Sequence, residues 1–181
     1  PGAWQLEFKH AKTSIILHAQ ITGTDAATFE RNNLIATEHT IAAIKTHKVP
    51  CSIFISSSVV HSTTQDYYTE TKKQQEEMVR NSGIACCILR PTLMFGWFDP
   101  KHLGWLSRFM EKVPCFPIPG NGKYLRQPLY SRDFCHCILA AMERSMINQT
   151  HDIVGQEEIN YIDLIYAIKR IKKLKTPIIK I

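Results

Sequence analysis

Three short apolar segments, each separated from the next by a helical pattern, constrain the fold of this chain most strongly. The segments SIILHA, CSIFISSS and ACCILRP occupy residues 14–19, 51–58 and 85–91. Runs that are apolar along nearly their whole length are typical of strands buried on both faces of a parallel sheet. Helix signals fill residues 26–47 and 66–81, between those runs. The alternation predicts an α/β fold with helices on both faces of a parallel sheet.

Composition narrows the class of protein. The 181 residues, 44% of them hydrophobic, suffice for an ordinary globular core. No apolar run approaches the length of a membrane span, so we expect no membrane partner. The six cysteines include no C-x-x-C pair, which favours reduced thiols in a reducing compartment, and we expect the cytoplasm. Cys135-His136-Cys137 lies in a predicted helix, where neighbouring side chains point in different directions, so no metal site is expected.

The net charge of +6 has a local origin. Six basic residues lie within 169–180, whereas the other 16 are matched by 16 acidic residues along the chain. This distribution favours a solvated helix face and makes nucleic acid an unexpected partner, although the charged segment alone could bind an anionic surface.

The alternation of apolar strands and helices ends after Pro91, and the sequence pattern becomes mixed. Residues 102–112 have the pattern of an amphipathic helix, residues 113–123 are rich in Pro and Gly and are predicted to be irregular, and residues 123–130 suggest a strand running into a helix. A short strand at 151–154 and a helix capped by Asn160 follow. We therefore divide the chain into a partial dinucleotide-binding region, 1–91, and a mixed C-terminal substrate lobe, 92–181, that is interleaved with the last elements of the sheet.

The stretch DYYTETKKQQEEMV, residues 66–79, carries the strongest chemical signal. On a helix, residues four apart share a face, and Tyr68 with Lys72 is the one tyrosine–lysine pair at that spacing. A neighbouring ammonium lowers the pKa of a tyrosine, which can then exchange a proton with a substrate hydroxyl or carbonyl. The serines at 56–58 end the preceding strand, where ligands bind in doubly wound sheets, and can supply a second donor.

These residues resemble the extended or atypical short-chain dehydrogenases/reductases, the NAD-dependent epimerase/dehydratase group. The resemblance rests on several motifs in the right order, namely IILHAQ, NNLIAT, FISSSVV, YTETK with Glu76 following, LRPTLMFG and GNGKYLRQPLYSRDF. It implies a partial Rossmann-like, doubly wound parallel sheet with a small C-terminal substrate lobe. It also implies homodimerisation through the helix that carries Tyr68.

The resemblance implies a serine–tyrosine–lysine triad working with NAD or NADP. Tyr68 would be the acid/base, and Lys72 would lower its pKa and hold the nicotinamide ribose. The serine is Ser57 when the family's Val-Tyr dipeptide is aligned with Val60-His61, and Ser58 when the serine runs are aligned.

The resemblance also implies contacts to the cofactor and the substrate. Those expected at the cofactor, besides Tyr68 and Lys72, are His18, Ala19, Asn33, Ser56, Pro91 and Thr92. Arg126 matches an arginine that contacts substrate phosphate in the sugar epimerases, and Phe95 is expected beside the substrate.

The sequence departs from this family in its first part. The fingerprint G-x-G-x-x-G is absent, and Gly120-Asn121-Gly122 lies far downstream of its family position. We interpret the chain as an N-terminally incomplete member and expect weak or no NAD(P) binding, because the loop that holds the pyrophosphate is missing. The strand within 14–19 is then expected to present an unpaired edge.

A second departure concerns the substrate. Leu93 stands where sugar epimerases often have asparagine, which favours an apolar, hydroxysteroid-dehydrogenase-like pocket lined by Trp97, Phe98, His102 and Trp105. The chain is thus predicted to be an NAD(P)-dependent oxidoreductase or epimerase acting on a hydroxyl or carbonyl carbon of a small molecule, with a nucleotide sugar among the candidates. The alternative is a catalytically silent binding or scaffold protein with the same fold.

Overall fold

The computed structural model of the chain describes residues 2–97 and 99–181. They form two compact units: residues up to 91 together with 135–153, and residues 92–134 together with 154–181. Within the described residues, no helix combines the length and the apolar character needed to cross a membrane.

The elements follow one another in the predicted order. The strands are β1 Ser14–Ile16, β2 Ser52–Ile55, β3 Cys86–Pro91, β4 Met94–Phe95, β5 Phe116–Ile118, β6 Leu125–Arg126, β7 Leu129–Tyr130, β8 Thr150–Ile153, β9 Ile159–Asn160 and β10 Ile178–Lys180. The α-helices are α1 Ala26–Phe29, α2 Ala36–Thr46, α3 Tyr67–Asn81, α4 Leu103–Lys112, α5 Ser131–Glu143 and α6 Tyr161–Ile171. Single turns of 3₁₀-helix cover Ala3–Phe8 and Ser58–His61.

The first unit is built on a four-stranded sheet in the order β1-β2-β3-β8, in which every neighbouring pair is parallel. This confirms the predicted α/β class. Strand β2 is buried at all four positions, as expected for a strand with neighbours on both sides and covered faces. The core beneath the helices consists of Ile16, Ile41, Ile44, Val49, Phe54, Val79, Cys86 and Ile88.

Strand β1 is shorter than predicted and lies at one end of the sheet. Its pairing ends at Ile16, opposite Phe54, because β2 itself stops one residue later. The next residue, Leu17, is 62% exposed. The expected open edge is therefore present at β1, and His18 and Ala19 lie beyond the strand in an irregular segment.

The first long helix contains a π-helical interruption. Asp25 caps α1 by accepting hydrogen bonds from the backbone N–H groups of Ala27 and Thr28. Residues Glu30–Ile35 then form a π-helical turn before α2 begins. Such turns widen the helix by one residue and often occur at functional sites. Here the turn contains Asn33, which is fully buried.

The second unit departs from the prediction in two places. Strand β5 lies inside the segment predicted to be irregular, because Phe116 and Ile118 are buried and the strand pairs in parallel with β10. The strand predicted over 123–130 is divided into β6 and β7. Pro128 lies between them and has no N–H to donate to a ladder. The core of this unit consists of Leu106, Met110, Phe116, Ile118 and Ile165.

Candidate active site

The serine run follows the end of β2 and turns at once into a 3₁₀-helix. Ser57 is the residue before that turn, and its Oγ accepts a 3.4 Å hydrogen bond from the backbone N–H of Val59. Ser58 is the first residue inside the turn. Ser57 is near enough to Tyr68 to lower the pKa of the tyrosine, so the two side chains are neighbours.

Helix α3 begins immediately before the candidate tyrosine. The Asp66 carboxylate accepts hydrogen bonds from the backbone N–H and the hydroxyl of Thr69, at 2.8 Å and 3.0 Å, and so fixes the first turn. Tyr67 is 49% exposed and packs its ring 5.7 Å from the ring of Phe29. Tyr68 is less exposed than Tyr67.

Lys72 is almost completely buried, with 1% of its surface exposed. Its Nζ donates a 3.0 Å hydrogen bond to the carbonyl oxygen of Ile55 and lies 4.5 Å from the centroid of the Phe54 ring. Burial lowers the pKa of Lys72 to about 8, and the nearby Glu76 raises it in part. An ammonium has three N–H donors, and two remain without a hydrogen-bond acceptor among the described residues.

The pKa of Tyr68 shifts in the direction opposite to the one expected. Burial raises it, the neighbouring Ser57 lowers it, and the Asp66 carboxylate raises it further, with a net rise above the ordinary value. The expected lowering by Lys72 is not found, and the Lys72 ammonium is instead bonded to the Ile55 carbonyl. At neutral pH Tyr68 therefore keeps its proton and can donate it.

His18 belongs to a buried polar network between the first long helix and α3. Its Nε2 is 2.9 Å from the hydroxyl of Thr37, which also accepts a 2.7 Å hydrogen bond from the Gln75 amide. Burial lowers the pKa of His18 and the Lys72 charge lowers it further, despite a hydrogen bond with the Asn33 backbone. His18 is thus a neutral ring in this network.

Asn33 connects this network to the segment that follows β1. Its side-chain oxygen accepts a 2.6 Å hydrogen bond from the backbone N–H of Gln20, and its amide nitrogen donates to the Gln20 carbonyl at 3.2 Å. The same nitrogen donates to Thr71 at 2.8 Å. Asn33 consequently holds the backbone just beyond His18 and Ala19.

The spacing of polar residues in the sequence is a signal for this network. Thr71 and Gln75 lie four residues apart on α3, Asn33 and Thr37 lie four apart on the facing helix, and all four are buried. Polar residues at that spacing on the buried face of two helices predict a shared hydrogen-bond network.

Glu76 forms a second buried cluster, one turn beyond Lys72. Arg90 donates two hydrogen bonds to its carboxylate, at 2.8 Å and 2.7 Å, and the Ser56 hydroxyl donates a third at 2.6 Å. Burial raises the pKa of Glu76, but these hydrogen bonds, with one from Arg80, hold it below its ordinary value. Ser56 is therefore engaged by Glu76.

An open cavity of about 930 Å³ adjoins Tyr68. Its walls include Ile21, Gly23, Phe29 and Asp66. The volume is at the upper end of the range of small-molecule sites. Within the part of the chain that the structure describes, no group of three or more His, Cys, Asp or Glu residues could hold a metal ion.

Comparison with known proteins identifies the family of this chain. The model of the "NAD dependent epimerase/dehydratase family" matches residues 4–154 of this chain. The chain belongs to that family. A curated relative, "NADH dehydrogenase [ubiquinone] 1 alpha subcomplex subunit 9, mitochondrial" of Arabidopsis thaliana, is 33% identical over 119 residues, which are 60% of this chain and 29% of the relative.

Solved structures of epimerases and dehydratases have the same fold. UDP-glucuronic acid 4-epimerase from Bacillus cereus, in complex with NAD, superposes with a TM-score of 0.84 at 21% identity, over 99% of this chain and 66% of the epimerase. A dTDP-glucose 4,6-dehydratase double mutant from Streptomyces venezuelae, with NAD bound, gives 0.81 at 15% identity, over 98% of this chain and 62% of the dehydratase. The chain thus spans somewhat under two thirds of these enzymes and less than a third of the curated relative.

These neighbours confirm the Rossmann-like fold and show that its members bind nicotinamide cofactors. In this family member, the two free N–H donors of Lys72 suit the ribose hydroxyls of such a cofactor. No glycine-rich phosphate loop is present in the sequence. The described residues therefore suit the nicotinamide end of the cofactor and offer no such loop for its pyrophosphate.

The remaining predicted site residues lie at the end of β3 and in the second unit. Pro91 is the last residue of β3, and the hydroxyl of Thr92 donates to the Gln127 carbonyl at 3.1 Å. The ring of Phe95 lies 5.5 Å from that of Tyr130. Arg126 is exposed, with its guanidinium carbon 5.0 Å from the Tyr124 ring centroid.

The second unit also contains the predicted apolar pocket in part. His102 and Trp105 line a cavity of about 180 Å³ together with Leu93. Trp97 does not line it and is 82% exposed. Phe98 lies outside the described residues.

Proposed function

We propose that this chain is an NAD(P)-dependent oxidoreductase or epimerase that acts on a hydroxyl or carbonyl carbon of a small molecule, with a nucleotide sugar among the candidate substrates. The observation that carries the proposal is the arrangement at the N-terminal end of α3. There Tyr68 lines a cavity of substrate size and has Ser57 as a neighbour that lowers its pKa. Lys72, one turn further along the helix, is buried and has unused donors.

Each residue has a chemical role in this proposal. A nicotinamide cofactor, when bound, would supply the hydride chemistry at the reacting carbon. Tyr68, which keeps its proton at neutral pH, donates it to the carbonyl oxygen in the reducing direction and recovers it in the oxidising direction. Ser57 holds the same oxygen through its hydroxyl. Lys72 lies one turn further along α3, and its two free N–H donors would hold the nicotinamide ribose.

The cofactor is proposed to bind weakly to this chain. Without the glycine loop, the pyrophosphate lacks the backbone N–H groups that usually hold it. The nicotinamide ribose would then depend on Lys72 and Tyr68, with His18, Ala19 and Asn33 shaping the adjoining backbone and Ser56, Pro91 and Thr92 as the further proposed contacts. The missing loop and the contacts to the nicotinamide ribose affect NAD and NADP alike, so both are proposed.

One turnover experiment tests these statements together. The chain is incubated with a panel of secondary alcohols and UDP-sugars while NAD or NADP is raised. Reduction of the nicotinamide is followed by absorbance, and interconversion of the UDP-sugars, which leaves no net reduced cofactor, is followed by chromatography. We expect turnover only at high cofactor concentration, and a loss of about 100-fold to 10,000-fold in kcat/KM for Tyr68→Phe.

Tyr67→Phe is the matched control and should retain turnover, because Tyr67 packs against Phe29. Equal loss in both variants would contradict the assignment of Tyr68. Saturation at ordinary micromolar cofactor would contradict weak binding.

A second candidate is a catalytically silent binding or scaffold protein with this fold. The observation that favours it is the Arabidopsis relative, whose name describes a subunit of a larger assembly. Absence of turnover with every member of the panel, together with stable folding and cofactor-independent association with a partner, would favour this candidate.

The compartment and the oligomeric state belong to the same proposal. All six cysteines are free thiols, which is consistent with a reducing compartment such as the cytoplasm. A homodimer through α3 is proposed from the family resemblance, and size-exclusion chromatography with light scattering measures it directly.

A further inference from the structure

The walls of the cavity beside Tyr68 come from the first unit alone, and part of them is apolar and aromatic. Ile21 and Tyr67 line the cavity, and each is 49% exposed. The ring of Phe29, which lies 5.7 Å from that of Tyr67, also lines it. Apolar surface that is left in contact with water favours an apolar occupant. A hydrocarbon or aromatic ring of a substrate can therefore pack against this part of the wall.

The charged side chains of the same wall are both carboxylates. Asp66 and Glu70 line the cavity together with the uncharged side chain of Gln65. Among the described residues, no lysine, arginine or histidine lines it. An organic anion in this cavity would therefore lie near two negative charges and find no cation in the wall as its partner.

The two lysines on the same helix do not supply the missing cation. Lys73 pairs with Glu70 at 3.3 Å on the exposed surface, and it does not line the cavity. The Lys72 ammonium is buried and donates its hydrogen bond to the Ile55 carbonyl, behind the wall. An incoming anion would have to compete with Glu70 for the first lysine, and the second is not part of the wall.

The negative charge of the wall acts on the reacting group itself. The Asp66 carboxylate raises the pKa of Tyr68, so the two groups interact electrostatically. A substrate has to bring its oxygen to the Tyr68 hydroxyl, and a charge close to its reacting carbon would meet the same carboxylate. Like charges repel, and the repulsion is less screened in a partly apolar cavity than in bulk water.

We propose that Asp66 and Glu70 are specificity-determining residues, which restrict the cavity beside Tyr68 to an alcohol or ketone with an apolar ring and no negative charge near the reacting carbon. A sugar acid, whose carboxylate lies on the reacting ring, is excluded by the same charges. The proposal rests on the proposed function, because it names the substrate class of that site.

The two proposals fail separately, because binding requires neither cofactor nor turnover. Selective binding by charge without any turnover would contradict the proposed function alone. Turnover without selection by charge would contradict the present proposal alone.

One scaffold with three substituents tests the selection by charge. The ligands are α-methylbenzyl alcohols, which are secondary alcohols, with a methyl, an aminomethyl or a carboxylate group in the para position. Each is titrated into the full chain at neutral pH, and the ring signals of Tyr67 and Tyr68 are followed by NMR. At low salt the carboxylate ligand should bind about 10-fold more weakly than the ammonium ligand, and the methyl ligand should lie between them. Added salt should narrow the difference, because it screens the exposed carboxylates.

Two variants locate the charges that select the ligand. Glu70→Gln and Asp66→Asn remove one negative charge each with little change of shape, and asparagine is as good a helix cap as aspartate. Each should strengthen the carboxylate ligand by about threefold, weaken the ammonium ligand by about as much, and leave the methyl ligand unchanged. Asp66→Asn should also lower the pKa of Tyr68, which is measured from the pH titration of its ring signal.

Glu77→Gln is the matched control. Glu77 is an exposed carboxylate further along the same helix and does not line the cavity. Its replacement changes the net charge of the chain by the same amount and should change none of the three affinities.

Three results would overturn the proposal: binding of the carboxylate ligand as tight as that of the ammonium ligand at low salt, no binding of any ligand, or an unchanged order of affinities in both Glu70→Gln and Asp66→Asn. An equal effect in Glu77→Gln would also overturn it, because the selection would then come from the net charge of the chain. Unfolding curves of each variant, measured in parallel, establish that the comparison is between folded proteins.

Discussion

Two buried charges lie one turn apart on α3, and their surroundings differ sharply. The Glu76 carboxylate accepts hydrogen bonds from Ser56, Arg80 and Arg90, whereas the Lys72 ammonium has the Ile55 carbonyl as its acceptor. Both residues are at most 5% exposed. Removal of a charge from water is costly unless other polar groups replace the water. Glu76 is compensated by several hydrogen bonds, whereas Lys72 is compensated only in part, by one carbonyl oxygen and the Phe54 ring.

The difference separates a structural charge from a functional one. Glu76 ties α3 to β3 through Arg90 and to the end of β2 through Ser56, so it stabilises the folded chain. Lys72 carries an uncompensated cost, which is the state expected of a group whose partners arrive with a ligand. Three measurements can break or sharpen this contrast.

Glu76→Gln should have the largest effect. The variant leaves the Arg90 guanidinium partly buried opposite a neutral amide, and loss of one partner of such a pair costs about 3 kcal/mol. Urea unfolding gives the free energy. Since the pKa of Glu76 is held below its ordinary value, the wild-type advantage is fully present above the ordinary carboxyl pKa and declines as the pH falls through the folded value. A loss under about 1 kcal/mol at neutral pH would show that the pair does not stabilise the fold.

Lys72→Met should act in the opposite direction. With the pKa of Lys72 at about 8 in the folded chain, the charged form opposes folding, and the variant should gain roughly 2 kcal/mol at neutral pH. The unfolded chain binds more protons between that value and the ordinary lysine pKa, so the wild type gains stability as the pH rises through this window and the difference closes.

Lys73→Met is the control for Lys72→Met. Lys73 forms an exposed pair with Glu70 at 3.3 Å, and its replacement should change the unfolding free energy by less than about 0.5 kcal/mol. A wild type that is more stable than Lys72→Met at neutral pH would mean that Lys72 is a compensated, structural charge.

Tyr68→Phe should have a smaller effect on stability than either buried-charge variant. It removes one half-buried hydroxyl beside Ser57, at a cost of about 1 kcal/mol or less. Thermal unfolding beside Tyr67→Phe measures it. A small loss of stability with a large loss of turnover would mark Tyr68 as a reacting group, and a loss well above that size would identify it as a packing residue.

The sequence predicted the elements that depend on local pattern. The strands β1, β2 and β3, and the helix that brings Tyr68 and Lys72 onto one face, follow from apolar runs and from spacing within a few residues. The ends of strands were less accurate: the apolar segment runs to Ala19, whereas β1 ends at Ile16. Strand β5 escaped prediction because its pairing depends on β10, far along the chain.

The polar interactions at the site depend on contacts between segments that are far apart along the chain. Gln75 reaches the backbone of Asn33, 42 residues away, and Arg90 reaches Glu76 from a neighbouring strand. Spacing identifies the buried polar face of a helix, but it does not say which residue of another element each side chain will contact. The direction of the Tyr68 pKa was also out of reach, because it depends on burial and on where the Lys72 ammonium points.

The π-helical turn at Glu30–Ile35 determines the direction, about the helix axis, of every side chain that follows it in α2. One residue more or less rotates the remainder by about 100°. Deletion of a single residue there would restore regular α-helical hydrogen bonds, yet it would turn Thr37 away from His18 and Gln75. The same deletion would carry the apolar side chains of α2 off the core. The apolar face of α2 therefore meets the core only because the π-helical turn contains its extra residue. A change of length in this turn would change the residues that the whole of α2 contacts.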